Sequence, residues 1–171
     1  MAGVNVYLGI DPGPTTGLAM AYWDGDSWAY PGAFQCDAGS AVAMLGWILA
    51  ANRMLPVRGQ VEEFRAGTGA GARGTAASVT RTLVDKLVTV LRESGVPYHV
   101  RPAATAKPWS TDKRLERAGL LACCHGMPHA ADAFRHLLFC AVHDGGVPDP
   151  LSKAAGGGYR LRAVPDQLGK A

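Results

Sequence analysis

The sequence predicts an α/β domain in which helices flank a mixed five-stranded sheet. Three apolar, strand-like segments follow one another near the N-terminus, and helical and strand-like segments then alternate. Consecutive strands favour antiparallel pairing, whereas strands joined through helices favour parallel pairing. Hydrophobic residues make up 48% of the 171 residues and charged residues 18%, so the chain has enough apolar surface for one folded domain.

Three antiparallel strands are predicted over residues 4–10, 17–23 and 27–34. The first is apolar and rich in β-branched residues, and it stops at the turn residues Asp11-Pro12-Gly13. The link Asp24-Gly25-Asp26 has the composition of a hairpin turn. These features predict a meander whose first strand is buried in the centre of the sheet.

The segments that follow alternate between helix and strand patterns. Short strands are predicted over 58–64 and 97–101. Helices are predicted over 40–54, 75–94, 111–121 and 130–143. Ser40 is the expected N-cap of the first helix, and Gly95 is the expected C-cap of the second. The second helix has apolar residues at helical spacing: Val79, Leu83, Leu87, Val88 and Leu91.

Composition divides the chain into a folded domain over 1–143 and a flexible, basic tail over 144–171 that is rich in Gly and Pro. No apolar run reaches the ~18 residues that span a bilayer, and the first ten residues lack the basic start of a signal peptide. The four cysteines form no CxxC pair. We therefore expect a soluble cytoplasmic protein with reduced cysteines and no membrane partner.

Charge is distributed unevenly along the chain. Residues 1–64 have six acidic and two basic side chains, a balance of −4, and residues 65–171 have 15 basic and 8 acidic side chains, a balance of +7. A metal ion is bound by carboxylates, and a polyanion is bound by Lys and Arg. The pattern suits a metal-dependent enzyme that acts on a polyanion, although ordinary surface charge would also produce it.

Acidic residues stand on three well-separated segments. Asp11 ends the first strand, where open α/β sheets bind ligands. Glu62 and Glu63 interrupt an apolar strand, and because side chains alternate only one of them can join Asp11. Asp132 lies near the start of the last helix, three residues after His129 and on the same face.

Clustered carboxylates usually bind a cation or pair with one. Two Mg²⁺ or Mn²⁺ ions ~3.5–4 Å apart would allow one ion to prepare an attacking water and the other to stabilise the leaving oxygen of a phosphodiester. The alternative is that Asp11 is a turn residue, that Glu62 and Glu63 form the charged face of an edge strand, and that His129 and Asp132 cap a helix. Spacing alone does not decide between the two.

Two other motifs are poorly supported by the residues around them. Zinc-binding residue types occur together at Cys123, Cys124, His125 and His129. Adjacent cysteines on a helix point about 100° apart, however, and Pro128 interrupts the segment. Residues 69–74 read GxGxxG, but the acidic residue that a dinucleotide site needs ~20 positions later would fall in a helix. We expect no organic cofactor.

Three motifs occur in order: 8–13 (LGIDPG) followed by Thr16-Gly17, 61–64 (VEEF), and 129–133 (HAADA). Together they resemble the motif series of RuvC-type Holliday junction resolvases, which have a ribonuclease H-like fold. The resemblance covers most of residues 4–143. The segment 107–115 (KPWSTDKRL) is similar to RuvC-like resolvases of actinobacterial phages, which implies the cytoplasm of a bacterium or of a phage-infected host.

In that family, the acid after the first strand, the glutamate of the fourth strand and the acid of the last helix bind the catalytic metals. The resemblance therefore implies these roles for Asp11, Glu62 and Asp132. Many members have a second Asp three residues before the last acid, and others have His, as here at His129. Imidazole is a better ligand for Mn²⁺ than for Mg²⁺, so the preferred ion stays open. Glu62 is preferred to Glu63 because it directly follows the apolar residue of the motif.

The resemblance also implies a set of basic and aromatic residues that contact DNA. Lys107 and Lys113 resemble the family's basic residues near the scissile phosphate, although their spacing is shorter than usual. Arg114 follows in the same segment. The expected DNA contacts outside it are Phe64, Arg65 and Arg73, on and beside the glycine-rich loop. The alternative is that the two lysines are merely solvated and that Phe64 packs in the core.

The function implied is a homodimeric, metal-dependent endodeoxyribonuclease that resolves Holliday junctions and related branched DNA by two-metal hydrolysis. A two-fold dimer places identical sites on opposed strands, which is the symmetry of a four-way junction. One alternative is a nucleotide-binding half of an actin-like or sugar-kinase-like fold, which needs two domains and a longer chain. Another is a junction-binding module without catalysis.

Overall fold

The structure, a computed structural model, describes residues 3–65 and 75–152. Its strands are β1 (Asn5–Asp11), β2 (Thr15–Trp23), β3 (Trp28–Asp37), β4 (Val57–Glu62) and β5 (Tyr98–Arg101). Its helices are α1 (Ala38–Ala51), α2 (Thr75–Glu93), α3 (Ala103–Ala106), α4 (Asp112–Arg117) and α5 (Pro128–His143), with a 3₁₀ helix at Leu121–Cys124. The strand order is β3-β2-β1-β4-β5, with β1, β2 and β3 antiparallel and β1, β4 and β5 parallel. The predicted mixed sheet is confirmed.

The central strand β1 separates two apolar cores, one on each face of the sheet. Val6, Leu8 and Ile10 point into the core formed with α1 and α2. Tyr7 points into the other core, which is formed mainly by α5, with residues from α4, the 3₁₀ helix and the segment after α5. Because side chains alternate along a strand, Asp11 lies on the same face as Tyr7 and therefore on the α5 side.

Helix α1 begins two residues earlier than the sequence predicts, and its N-cap is Asp37 rather than Ser40. The Asp37 carboxylate accepts hydrogen bonds from the Ser40 backbone N–H at 3.0 Å and from the Ser40 hydroxyl at 2.7 Å. Ser40 thus lies inside the first turn, where it completes the cap. Sequence pattern could not separate the two positions because both residues are good caps.

The predicted helix over 111–121 is wrong in length. Helix α4 ends at Arg117, and Gly119 follows with a φ of +70°, a left-handed conformation that terminates helices. Conversely, α5 starts at Pro128, two residues before its predicted start, because proline is compatible with the first turn of a helix. His129 therefore lies on α5 itself.

Helix α2 packs against the sheet as predicted through Leu83, Leu87 and Leu91, which are buried. Gly95 follows the helix with a φ of +68°, and the Val96 N–H bonds to the Leu91 carbonyl, as expected of a C-cap. Val79, which the sequence assigned to the same apolar face, is instead 51% exposed.

Two glycines let α5 approach the sheet closely. A Cβ atom at Gly9 of β1 would lie 1.9 Å from the Ala133 carbonyl oxygen, and one at Gly17 of β2 would lie 1.9 Å from the His129 carbonyl oxygen. Any side chain at either position would therefore clash with the helix backbone. These contacts fix the N-terminal half of α5 directly over the end of β1.

The first residues of the predicted tail pack against the domain. Val147 and Leu151 are buried in the α5 core, and Asp144 forms an ion pair with Arg101. Residues 153–171 of that tail lie outside the described residues. No helix in the described ranges is long and apolar enough to cross a membrane.

Candidate active site

The first acidic residue of the site, Asp11, is the last residue of β1 and is 7% exposed. The turn after it is closed by Thr16, whose buried hydroxyl donates to the Gly13 carbonyl at 2.8 Å. The chain then returns as β2, with Gly17 paired to Asp11. Asp11 is thereby held by two strands and a tight turn, which limits its freedom to move.

Glu62 ends β4, the strand next to β1. The two strands are in parallel register with Ile10 beside Val61, so Asp11 and Glu62 stand one position further along neighbouring strands. Both follow a residue that faces the α1–α2 core, so both face α5. Glu63 lies beyond the strand and pairs with Arg65, with Nε 2.8 Å from Oε2.

Helix α5 brings His129 and Asp132 over these strand ends. The His129 Nδ1 atom lies 2.8 Å from Asp11 Oδ2. Asp132 follows one turn later, and its carboxylate accepts a hydrogen bond from Arg135. Side chains three residues apart lie on the same face of a helix, so both turn towards Asp11 and Glu62.

Lys107 links the acidic residues of the strand and the helix. Its Nζ atom lies 2.8 Å from Asp132 Oδ2 and 3.5 Å from Glu62 Oε2. Partial burial of Lys107 disfavours its charged form, but the hydrogen bond with Asp132 and the charge of Glu62 prevail and raise the pKa of Lys107. The ammonium thus joins the two carboxylates across the site.

Negative charge is concentrated around Asp11. Burial, opposed by the hydrogen bond with His129 and reinforced by the charges of Glu62 and Asp132, raises the pKa of Asp11 to about 6. A positive charge that binds near such a carboxyl group stabilises its ionised form and so lowers the raised pKa. Asp11 on β1 is therefore within electrostatic reach of carboxylates from β4 and α5.

The donor set fits a hard divalent cation. Carboxylate oxygens suit Mg²⁺ and Mn²⁺, and the imidazole of His129 suits Mn²⁺ better. Within residues 3–65 and 75–152, however, no three His, Cys, Asp or Glu side chains are gathered tightly enough to hold a metal ion as they stand. Binding at these carboxylates would require Lys107 to move aside, since its ammonium lies between Glu62 and Asp132.

Two further residues hold these carboxylates and were not singled out from the sequence. Arg135 donates to Asp132, to Asp112 and to the Ser110 carbonyl, while His136 lies 2.9 Å from Glu62. A signal was present, because Arg135 and His136 are polar residues within the apolar stretch of the last helix. Polar side chains at buried helix positions need partners, which here are the acidic residues.

The residues expected to contact DNA differ in exposure and in the contacts they make within the domain. Lys113 is exposed on α4, Arg65 is exposed beside Glu63, and Phe64 is half-buried. Arg114 is engaged internally: it contacts the Trp109 ring and carbonyl, pairs with Asp149 and donates to the Leu151 carbonyl. These contacts favour a structural role for Arg114. Arg73 lies outside the described residues, as does the GxGxxG segment.

Among the residues that the structure describes, the cysteines and histidines over 123–129 do not form a metal-binding group. Cys124 is buried, and burial raises the pKa of its thiol to about 11, so it stays protonated and is a poor metal ligand. His125 is exposed, with a φ of +49°. His129 points instead to Asp11.

Comparisons with known proteins show the fold. No protein-family model and no curated protein sequence matches the chain. The structure of Thermus thermophilus RuvC in complex with a Holliday junction substrate matches at a TM-score of 0.61 and 20% identity, covering 82% of this chain and 95% of that one. A second Thermus thermophilus RuvC structure matches at a TM-score of 0.54 and 20% identity, covering 84% and 97%. The chain therefore has the RuvC-like, ribonuclease H-like fold.

Proposed function

We propose that this protein is a metal-dependent endodeoxyribonuclease that acts on branched DNA, chiefly four-way junctions. The observation that carries the proposal is the convergence of Asp11, Glu62 and Asp132, together with Lys107, at one end of a RuvC-like sheet. A matching RuvC structure is a complex with a Holliday junction substrate, which supports the substrate class.

Each residue of the site has a separate task in this proposal. Asp11, Glu62 and Asp132 supply the oxygen ligands for two divalent cations, and His129 orients Asp11 or joins the ligand set. The bound cations would lower the pKa of a water molecule and offset negative charge on the phosphodiester. Lys107, once released from the carboxylates, is positioned to neutralise a phosphate oxygen.

The DNA backbone would be bound by basic side chains outside the acidic cluster. Lys113 and Arg65 are exposed and are the expected contacts, and Phe64 lies two residues beyond the end of β4. Lys and Arg side chains bind phosphates without reading sequence, so these residues position the duplex arms.

We include a homodimer in the proposal because the substrate is two-fold symmetric. The outer face of α1 is a suitable surface for contact with a second copy. The helix has no charged residue in its first or last turn, and Trp47 is 71% exposed on it, with Met44 beside it at 37%. A dimer predicts paired nicks at symmetry-related positions on two opposed strands.

The test is a cleavage assay on a synthetic four-way junction, a linear duplex and a flap, each with Mg²⁺, Mn²⁺ or chelator. We expect metal-dependent, paired nicks on the junction and little cutting of the linear duplex. Asp11→Asn should reduce cleavage at least 100-fold while junction binding stays within about threefold, because the change removes a negative charge but little volume.

Asp26→Asn is the matched control, since Asp26 is an exposed carboxylate in the β2–β3 turn. It should cleave like the wild type. Full cleavage by Asp11→Asn, or cleavage in chelator, would exclude the proposed site. Junction binding without nicks in either metal would instead identify a binding module without catalysis, and protection by ATP would favour a nucleotide-binding protein.

A further inference from the structure

We propose that Gln60 and His136 are positioning residues that hold the Glu62 carboxylate for a divalent cation, through a chain of hydrogen bonds whose direction is set by Arg101. The inference rests on the proposed function, because that function gives Glu62 a cation to bind. It adds residues from β4, β5 and α5 that no motif in the sequence marked.

The chain of hydrogen bonds is buried and short. Gln60 and His136 both have 0% exposure. The Gln60 Nε2 atom lies 2.6 Å from His136 Nδ1, and the His136 Nε2 atom lies 2.9 Å from Glu62 Oε2. On the other side, Arg101 Nη1 lies 2.7 Å from Gln60 Oε1.

The direction of every bond follows from Arg101. A guanidinium group has only donors, so Gln60 must present its carbonyl oxygen to Arg101 and its NH₂ group to His136. His136 Nδ1 must then accept, which places the ring proton on Nε2. That proton is donated to the Glu62 carboxylate, so the donor-only guanidinium of Arg101 determines, through Gln60, the direction of the His136–Glu62 hydrogen bond.

Arg101 is itself held by Asp144, the residue that directly follows α5. The pair is bidentate, with Nη1–Oδ2 and Nη2–Oδ1 distances of 2.6 and 2.8 Å. Bidentate pairs fix the plane of the guanidinium as well as its position. The Phe139 ring, 5.5 Å from the Arg101 guanidinium carbon, limits movement further.

The consequence for Glu62 is a fixed orientation. Its carboxylate is drawn towards α5, the helix that carries Asp132 and His136, rather than towards solvent, and Lys107 Nζ lies 3.5 Å from it. Residues that hydrogen-bond to metal ligands typically change metal affinity or activity by about 10- to 100-fold when they are removed. His136 meets that description through its contact with Glu62, and Gln60 acts one bond further away by holding His136.

The first part of the test measures the proton on His136 in the full-length wild-type protein. Nitrogen-15 NMR of the imidazole ring distinguishes the two neutral tautomers, and we expect the proton on Nε2. A proton on Nδ1 would overturn the inference. Gln60→Met keeps the imidazole but removes both amide contacts, so the single tautomer should be lost.

The second part measures Mn²⁺ affinity by isothermal titration calorimetry without DNA. His136→Leu removes the donor and should weaken Mn²⁺ binding about 10-fold or more. His136→Gln retains an N–H donor and should recover part of that loss. Should His136→Leu prove unfolded by circular dichroism, Gln60→Met provides the same comparison, with an expected loss of at least about threefold.

Tyr22→Phe is the matched control, because it deletes a buried hydrogen bond, 2.8 Å to Asn52, away from the site. It should lower thermal stability without changing Mn²⁺ affinity. Unchanged Mn²⁺ affinity in His136→Leu, an equal loss in Tyr22→Phe, or a wild type that binds no Mn²⁺ would each overturn the inference. A wild type that binds Mn²⁺ but leaves junctions intact would contradict only the proposed nuclease.

Discussion

Lys107 sets the charge balance of the site. Its ammonium lies between Glu62 and Asp132 and partly neutralises both. The same positive charge repels any metal cation that approaches those carboxylates. Lys107 therefore has two opposite effects in the proposed function, since it competes with the metal before binding and stabilises phosphate charge afterwards.

Lys107→Met separates the two effects. We expect Mn²⁺ affinity to rise about threefold to tenfold, because a partly exposed ion pair is worth on the order of 1 kcal/mol. Junction cleavage at saturating Mn²⁺ should fall at least tenfold, because the positive charge beside the phosphate is lost. Calorimetry and the cleavage assay measure the two quantities on one protein preparation.

Lys113→Met is the control for affinity, since Lys113 is an exposed lysine on α4 and should leave Mn²⁺ binding unchanged. Weaker Mn²⁺ binding in Lys107→Met would mean that the ammonium supports the carboxylates rather than competing for them.

The individual site residues could be predicted only in part. The end of an apolar strand marked Asp11, and helical spacing paired His129 with Asp132. Alternation could not choose between Glu62 and Glu63, because a strand pattern alone does not say which face meets α5. Gln60 and His136 were missed because their roles depend on contacts between residues 76 positions apart.

At the scale of elements, the site depends on how closely α5 lies against β1 and β2. Gly17 is one of two equally close points, and a Cβ atom there would lie 1.9 Å from the His129 carbonyl oxygen. The obstructing atoms belong to the helix backbone, which cannot rotate away as a side chain could. The distance between His129 and Asp11 is therefore tied to the absence of a side chain at Gly17.

Gly17→Ala should lower the free energy of unfolding by about 1–3 kcal/mol, the usual cost of forcing extra volume into a packed contact. It should also weaken Mn²⁺ binding, because the displaced helix would carry His129 away from Asp11. Urea denaturation followed by circular dichroism measures the first effect, and calorimetry the second. Gly32→Ala on β3 is the control, since a Cβ atom there meets nothing within 4 Å. Equal stability of the two variants would show that α5 tolerates the shift.

Most strands could be predicted from the sequence because their apolar composition and the turn residues that bound them are local signals. The helical region between β5 and α5 could not, since its structure is decided by single residues. Gly119 with a positive φ ends α4, and Pro128 starts α5 rather than interrupting it. The same residue types occur in loops and at helix ends, so only tertiary packing decides between these uses.

At the scale of the whole molecule, residues 144–152 close the α5 core. Their Gly and Pro content predicted a tail, but Val147 and Leu151 are buried, and Asp144 holds Arg101. Isolated apolar residues in such a segment have no periodicity that would indicate burial. Stability and the orientation of Glu62 are consequently linked through this segment.

The same region makes the stability of the molecule sensitive to alkaline pH. Cys140 on α5 is 1% exposed, and burial, aided by the negative charge of Asp144, raises the pKa of its thiol to about 12. In the unfolded chain a thiol has a pKa of about 8.5. The folded state therefore keeps a proton that the unfolded state loses, so this contribution is complete below about pH 8.5 and disappears as pH rises towards 12.

Between pH 8 and pH 10 the wild type should lose about 1–2 kcal/mol more unfolding free energy than Cys140→Ala does, because the alanine variant has no thiol to ionise at this position. Urea titrations of both proteins at several pH values measure the difference. Reducing agent in every sample excludes disulfide formation. The cavity left by alanine lowers the free energy of unfolding by the same amount at every pH, so it does not change the slope of that energy against pH. Parallel curves for the two proteins would mean that Cys140 ionises in the folded state as readily as in the unfolded chain, and that the core around Asp144 admits water.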